Sequence, residues 1–176
     1  MKITALDICN FRNIEKVSFE PSENINIIFG ENAQGKTNLI ESIWLFTGCR
    51  SFRNTKDSDF IRFGEKNAVL KMDFFSNDRD QEAKIVIGEK KEALLNGIKL
   101  KTVTKFAGET AAVVFTPEDL SIIKEGPSVR RRFIDSALSQ LKPGYTNLIS
   151  KYNRILLQRN NLLKDITIGM HVHENL

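Results

Sequence analysis

The stretch Gly30-Glu31-Asn32-Ala33-Gln34-Gly35-Lys36-Thr37 fits the spacing GxxxxGK[ST], a pattern whose residue types share one chemistry, the holding of a chain of phosphates. The glycines let the backbone turn so that consecutive N–H groups converge on an anion. Lys36 sets a point charge against the β- and γ-phosphates, and the Thr37 hydroxyl can ligate Mg²⁺. Asn32 lies inside the loop, where it either orients the γ-phosphate or a water or serves only the turn. These residues predict a site for a nucleoside triphosphate.

Such a loop works only between a strand and a helix, and the flanks supply both. Upstream, Asn24-Ile25-Asn26-Ile27-Ile28-Phe29 reads as a buried strand. Downstream, Leu39, Ile40, Ile43, Trp44 and Phe46 recur at helical spacing, and Gly48 is placed to stop the helix. An anion at that junction meets the free N–H groups of the first turn and the positive end of the helix dipole.

The chain has 176 residues, 41% of them hydrophobic, enough for one domain or one domain with an appendage. No apolar run approaches the ~20 residues that cross a bilayer, and the first residues lead into strand-like sequence, so the expectation is a cytoplasmic protein with no membrane partner. Cys9 and Cys49 stand alone without metal-ligand spacing and are read as free thiols. The net charge of +4 is unevenly spread. From Lys124 onward, Arg130, Arg131, Arg132, Lys142, Lys151, Arg154, Arg159 and Lys164 outnumber Glu125, Asp135, Asp165 and Glu174. That asymmetry suggests a polyanionic partner such as DNA or RNA.

Three sections follow along the chain. Residues 1 to about 62 hold strand signals at 3–8 and 16–20 and then the strand, loop and helix of the phosphate site. The second section reads as antiparallel sheet. Leu70, Met72 and Phe74 alternate with Lys71 and Asp73, Asn77-Asp78 turns the chain, Ile85 and Ile87 return, and Asn96-Gly97 joins a two-residue hairpin. The third opens on Ala111-Ala112-Val113-Val114-Phe115, which suits an interior strand. Thr116-Pro117-Glu118-Asp119 then caps a helix start, Pro127 opens a helix with Val129, Phe133, Ile134, Ala137 and Leu141 on its apolar side, and Pro143 opens a long one reaching about Lys164. His171 and His173 could bind a metal, but two histidines without a third ligand read as tail composition.

A second acidic site, an apolar strand ending in Asp that holds Mg²⁺, normally accompanies this loop. No good one is found. After Val113–Phe115 the first acid is displaced into a helix start, and Asp135 of Phe133-Ile134-Asp135 lies in helical periodicity. Neither segment carries the Ser-Gly signature with which cassette ATPases close a site from a second subunit.

Several blocks together resemble the N-terminal half of the RecF family, ATPases of the ABC class related to SMC heads. They are Phe11-Arg12-Asn13, the loop continued as Asn38-Leu39-Ile40-Glu41, Ser51-Phe52-Arg53, Asn96-Gly97, Phe115-Thr116-Pro117-Glu118-Asp119-Leu120, Gly126-Pro127-Ser128-Val129-Arg130-Arg131-Arg132-Phe133-Ile134-Asp135 and Gln158-Arg159-Asn160-Asn161-Leu162-Leu163. The resemblance covers about residues 1–165 and implies an α/β P-loop NTPase of ABC/SMC-head type with an antiparallel β-subdomain and a helical lobe. Residues 1–115 would form the N-terminal part of the head, with the β-subdomain at about 68–102. Residues 116–165 would start the helical lobe and arm, and residues 166–176 would be a tail or truncation end. It further implies ATP and Mg²⁺ as ligands, an ATP-dependent homodimer, and binding of DNA at single-strand gaps and duplex junctions. With RecR and RecO, such proteins promote recombinase loading in gap repair and the SOS response.

Carried over to this chain, the nucleotide contacts are Gly30, Glu31, Asn32, Ala33, Gln34, Gly35, Lys36, Thr37 and Asn38, with Thr37 on Mg²⁺. Arg12 near the chain start either reaches the nucleotide or is an exposed turn residue. Arg130, Arg131 and Arg132 point about 100° apart on a helix, so one or two are expected to anchor acids such as Asp135 and the rest to contact DNA. The second half of the family pattern, with its signature and acidic strand, is absent, so weak nucleotide binding and little hydrolysis are expected of this chain alone. A small-molecule kinase and a nucleotide-binding scaffold without DNA affinity are the rival readings.

Overall fold

A computed structural model describes residues 1–53, 55–124, 126–142 and 144–167. Its framework is a six-stranded antiparallel sheet of β1 (Lys2–Phe11), β2 (Ile14–Phe19), β3 (Ala68–Ser76), β4 (Arg79–Ile87), β5 (Glu92–Leu95) and β6 (Ile98–Leu100), in the order β2-β1-β3-β4-β5-β6. The helices are α1 (Lys36–Leu45), α2 (Ser121–Lys124), α3 (Pro127–Leu141) and α4 (Tyr145–Thr167). The sheet therefore takes in the first strands of the chain as well as residues 68–100.

Period-two patterning decides the sheet's faces. Leu6, Ile8, Leu70, Met72, Phe74, Ala83, Ile85, Ile87 and Ala93 are buried on one side. The other side carries polar pairs such as Lys71 with Glu82 and Lys99 with Glu92. Both hairpin signals are realised: Asn77 and Asp78 take φ of 54° and 57°, and Asn96 and Gly97 take 51° and 76°, the paired positive angles of the turn that matches strand twist. Leu45 and Phe46, at the end of α1, pack with Phe106 on the buried face, where Phe46 and Phe106 meet edge to face at 5.9 Å. Gly48 ends this region as expected. Its φ is 75°, and a Cβ there would lie 3.0 Å from the Val103 carbonyl oxygen.

Two predicted strands are not formed. Residues 24–29 and 111–115 carry no strand partner among the described residues. Ile27 is 80%, Phe29 89%, Val113 94% and Phe115 76% exposed. A continuous apolar run belongs where sheet neighbours and both faces are covered, and β1–β6 present no such neighbour.

The buried face of α1 also departs from the apolar stripe. Glu41, Ser42, Trp44 and Leu45 are buried, whereas Ile40 is exposed. A carboxylate drives this rotation, because Glu41 meets an arginine beneath the helix. Farther on, the start at Thr116 holds: the Asp119 carboxylate accepts from the Thr116 N–H at 2.6 Å and from its hydroxyl at 3.0 Å. Pro127 opens α3 as expected. Phe133, Ile134 and Leu141 of α3 stay exposed, so the predicted apolar side of this helix is uncovered. Pro143, His171 and His173 lie outside the described residues.

Candidate functional site

The loop at residues 30–35 is built from unusual backbone. Gly30 has φ 148°, Ala33 66° and Gly35 96°. Left-handed residues next to ordinary ones turn successive N–H groups toward one side, which makes a concavity for an anion. Gly35 is also the N-cap of α1, so the free N–H groups of the first helical turn begin where the loop ends. A Cβ added at Gly30 would meet nothing within 4 Å. Glycine is needed there for the conformation, and the space beside it is open to a ligand.

Lys36 folds back over this loop. Its ammonium donates to the carbonyl oxygens of Gly30 at 2.8 Å and Glu31 at 2.5 Å. Two of its three donors thus fix the charge against the loop backbone, and one remains. Glu31, Asn32, Ala33, Gln34 and Thr37 are exposed around it. The structure brings the predicted loop residues together as one surface at the start of α1. Among the described residues, no group of three His, Cys, Asp or Glu side chains is arranged to hold a metal.

Arg12 and Asn38 have other engagements. Arg12 Nε donates to Glu41 Oε2 at 2.5 Å, and Nη2 donates to Glu41 Oε1 at 2.9 Å and to Thr55 Oγ1 at 2.8 Å. Nη1 donates to the Asp59 carbonyl at 3.3 Å, and the guanidinium lies 5.1 Å from the centre of the Phe60 ring. Four of five N–H donors are taken, so the guanidinium is fixed in a buried brace with one donor left over. The Glu41 side chain is 0% exposed and that of Arg12 is 14%. Ser51 also donates to Glu41, and Arg53 lies 3.6 Å from it. Asn38 Oδ1 accepts from Arg53 at 2.7 Å and its Nδ2 donates to Asn13 Oδ1 at 2.7 Å, which directs this side chain along the helix start.

Glu41 was invisible as a functional residue in the sequence, although an acid beside the apolar run Leu39-Ile40 and Ile43-Trp44 is the signal that could have found it. Arg130, Arg131 and Arg132 are exposed on α3. None of them forms an ion pair among the described residues. Asp135, their expected anchor, instead accepts from the Tyr145 hydroxyl at 2.5 Å. That bond raises the Tyr145 pKa above its ordinary value, with burial and the Asp135 charge as lesser causes. Of the two acids weighed for Mg²⁺, Glu118 falls in the short helical turn Pro117–Leu120 rather than at a strand end, and Asp135 is engaged between α3 and α4.

The sequence profile of the AAA ATPase domain family matches residues 1–171. The chain belongs to this family. Along its whole length it is 44% identical to the DNA replication and repair protein RecF of Acetivibrio thermocellus, of which it covers 48%. It is 37% identical to the protein of the same name from Clostridioides difficile, again over its full length and 47% of that protein. The chain spans about half the length of the curated relatives it matches. Two solved structures superpose closely. The recombination mediator protein RecF-ATPrS in the RecFOR pathway gives a TM-score of 0.88 at 36% identity over 93% of this chain and 45% of that one. The RecF-ATP structure gives 0.86 at 38% identity over 94% of this chain and 45% of that one. The fold is thus an α/β P-loop ATPase fold of ABC type. No helix among the described residues is long and apolar enough to cross a membrane.

Proposed function

We propose that this chain is the N-terminal half of a RecF-type ATPase of recombinational DNA repair and that it binds the triphosphate of ATP at residues 30–38. The observation that carries the reading is the loop itself: left-handed Ala33 and Gly35 lead directly into the first turn of α1, with the Lys36 ammonium held across the Gly30 and Glu31 carbonyls. Main-chain N–H groups bind the phosphates, Lys36 neutralises their charge, and the Thr37 hydroxyl supplies one ligand to Mg²⁺. The metal would polarise the phosphate oxygens. The superposition with RecF-ATP supports this reading.

Phosphoryl transfer is catalysed mainly by positioning and charge stabilisation. With Glu118 in a helical turn and Asp135 engaged by Tyr145, the described residues offer loop and lysine for binding but no acidic strand for turnover. The exposed apolar segments at 24–29 and 111–115 would be covered by the remaining half of the protein, where signature and acid belong. In the complete protein, ATP would close a homodimer around DNA at gaps and junctions in the cytoplasm. RecR and RecO would act with it, and exposed arginines among Arg130, Arg131 and Arg132 would contact the backbone. Calorimetry with Mg-ATP on wild type and Lys36→Ala tests the site. Heat of binding in wild type and its loss in the variant are expected; equal heats refute the reading.

A further inference from the structure

We propose that Asn13 is a positioning residue for the phosphate loop, holding Ala33 in its left-handed conformation. The inference rests on the nucleotide reading above and adds to it a residue outside the loop. Asn13 lies in the tight turn between β1 and β2, and its Nδ2 donates to the Ala33 carbonyl at 2.6 Å. The same side chain backs Gly35, where an added Cβ would stand 3.0 Å from Asn13 Oδ1. One amide therefore touches the loop at both of its left-handed residues.

The orientation of this amide is forced by its neighbours. Arg53 can only donate, so Asn38 must turn its oxygen toward Arg53 and its nitrogen toward Asn13. Asn13 then presents its oxygen to Asn38 and its nitrogen to the Ala33 carbonyl, which can only accept. The relay runs from an obligate donor to an obligate acceptor with no ambiguous link. Its base is equally fixed, because Arg12, the preceding residue of the same turn, is clamped by Glu41 in the middle of α1. Arg12 itself sits at φ 53°, a conformation a non-glycine residue keeps only where its surroundings hold it. The turn thus ties the start of α1 to its middle. Ala33 pays a similar conformational penalty at φ 66°, and Asn13 offsets it while aligning the adjacent N–H groups.

The test is the Kd for Mg-ATP of wild type, Asn13→Ala, Ala33→Gly and the double variant, beside urea denaturation of each without nucleotide. Because the bond is exposed to water, Asn13→Ala should weaken ATP binding about three- to tenfold and leave the denaturation midpoint nearly in place. Glycine adopts the left-handed conformation unaided, so in the Ala33→Gly background the same change should cost less than about twofold. That coupling is a readout a merely structural side chain would not move. Asn13→Leu, which keeps bulk behind Gly35 but removes the donor to the Ala33 carbonyl, should give a loss in the same direction and serves if Asn13→Ala folds poorly. An Asn13→Ala variant that binds as wild type, or a loss equal in both backgrounds, overturns the proposal. A Lys36→Ala control that binds like wild type would instead overturn the nucleotide reading and the strut with it.

Discussion

Replacing Glu41 by Gln removes one charge while keeping the side chain's shape, and the structure sets what that costs. The carboxylate accepts two hydrogen bonds from Arg12 and one from Ser51 with its side chain fully buried. A glutamine keeps one accepting oxygen and turns an NH2 group toward donors. At least one charge-assisted bond is lost, and such bonds contribute about 1.5–3 kcal/mol. The guanidinium also loses its counter-ion in a pocket that leaves it little water, so the total is about 3 kcal/mol, below the ~3–5 kcal/mol of fully buried pairs stripped of a partner. For a domain of this size that is a fall in Tm of about 6–12 °C. Arg12→Ala should cost at least as much, because it strands the anion rather than the better-solvated cation. In a separate cycle, Arg12→Met and Glu41→Leu combined should cost clearly less than the sum of Arg12→Met and Glu41→Leu made singly, with a coupling of about 2 kcal/mol or more. Urea denaturation of the four proteins measures this cycle. Single changes that add within about 0.5 kcal/mol would refute the brace, since independent sites behave that way.

Tyr145 should ionise at higher pH than an ordinary tyrosine, because its proton is shared with Asp135, and absorbance titration of wild type against Asp135→Asn should show the difference vanish. The sign follows: with the folded pKa raised, this contribution is complete below the unfolded value of about 10 and fades as pH rises through the folded one. Gly48→Ala should destabilise the chain by about 2–4 kcal/mol, combining a left-handed alanine with a contact 3.0 Å from the Val103 oxygen. Gly97→Ala, left-handed but open to solvent, should cost only about 1–2 kcal/mol. Urea midpoints of both variants rank them, and equal costs would mean the crowding at Gly48 relaxes freely.

What could be read from the residues depended on whether a local pattern or a distant partner decides the structure. Asn77-Asp78 and Asn96-Gly97 announce their turns because the φ values they need are local. Leu70, Met72 and Phe74 announce a buried face because alternation is local too. The backbone turn at residues 30–35 was legible for the same reason: its glycines stand at fixed spacing in one segment. Glu41 was not, since its meaning lies in Arg12, which is remote in sequence and arrives from beneath. The strand expectation at 24–29 named segments with the right composition, but a strand exists only with a neighbour, and β1–β6 supply none. Helical spacing points Asp135 toward the arginines, whereas Tyr145 across the α3–α4 connection takes it.

The order of the strands carries a consequence for how the chain comes to be folded. β1 pairs β2, β3 pairs β4, β4 pairs β5 and β5 pairs β6, all neighbours in sequence, and only the β1–β3 pairing reaches across the phosphate loop and α1. Nearby contacts close cheaply and early. The two hairpin groups can thus assemble as the polypeptide leaves the ribosome. The one long-range strand pairing, β1 with β3, joins the two groups and holds the phosphate loop and α1 in the connection between them. Biosynthesis would deliver the sheet and its loop as one platform, with the apolar segments at 24–29 and 111–115 left open on it.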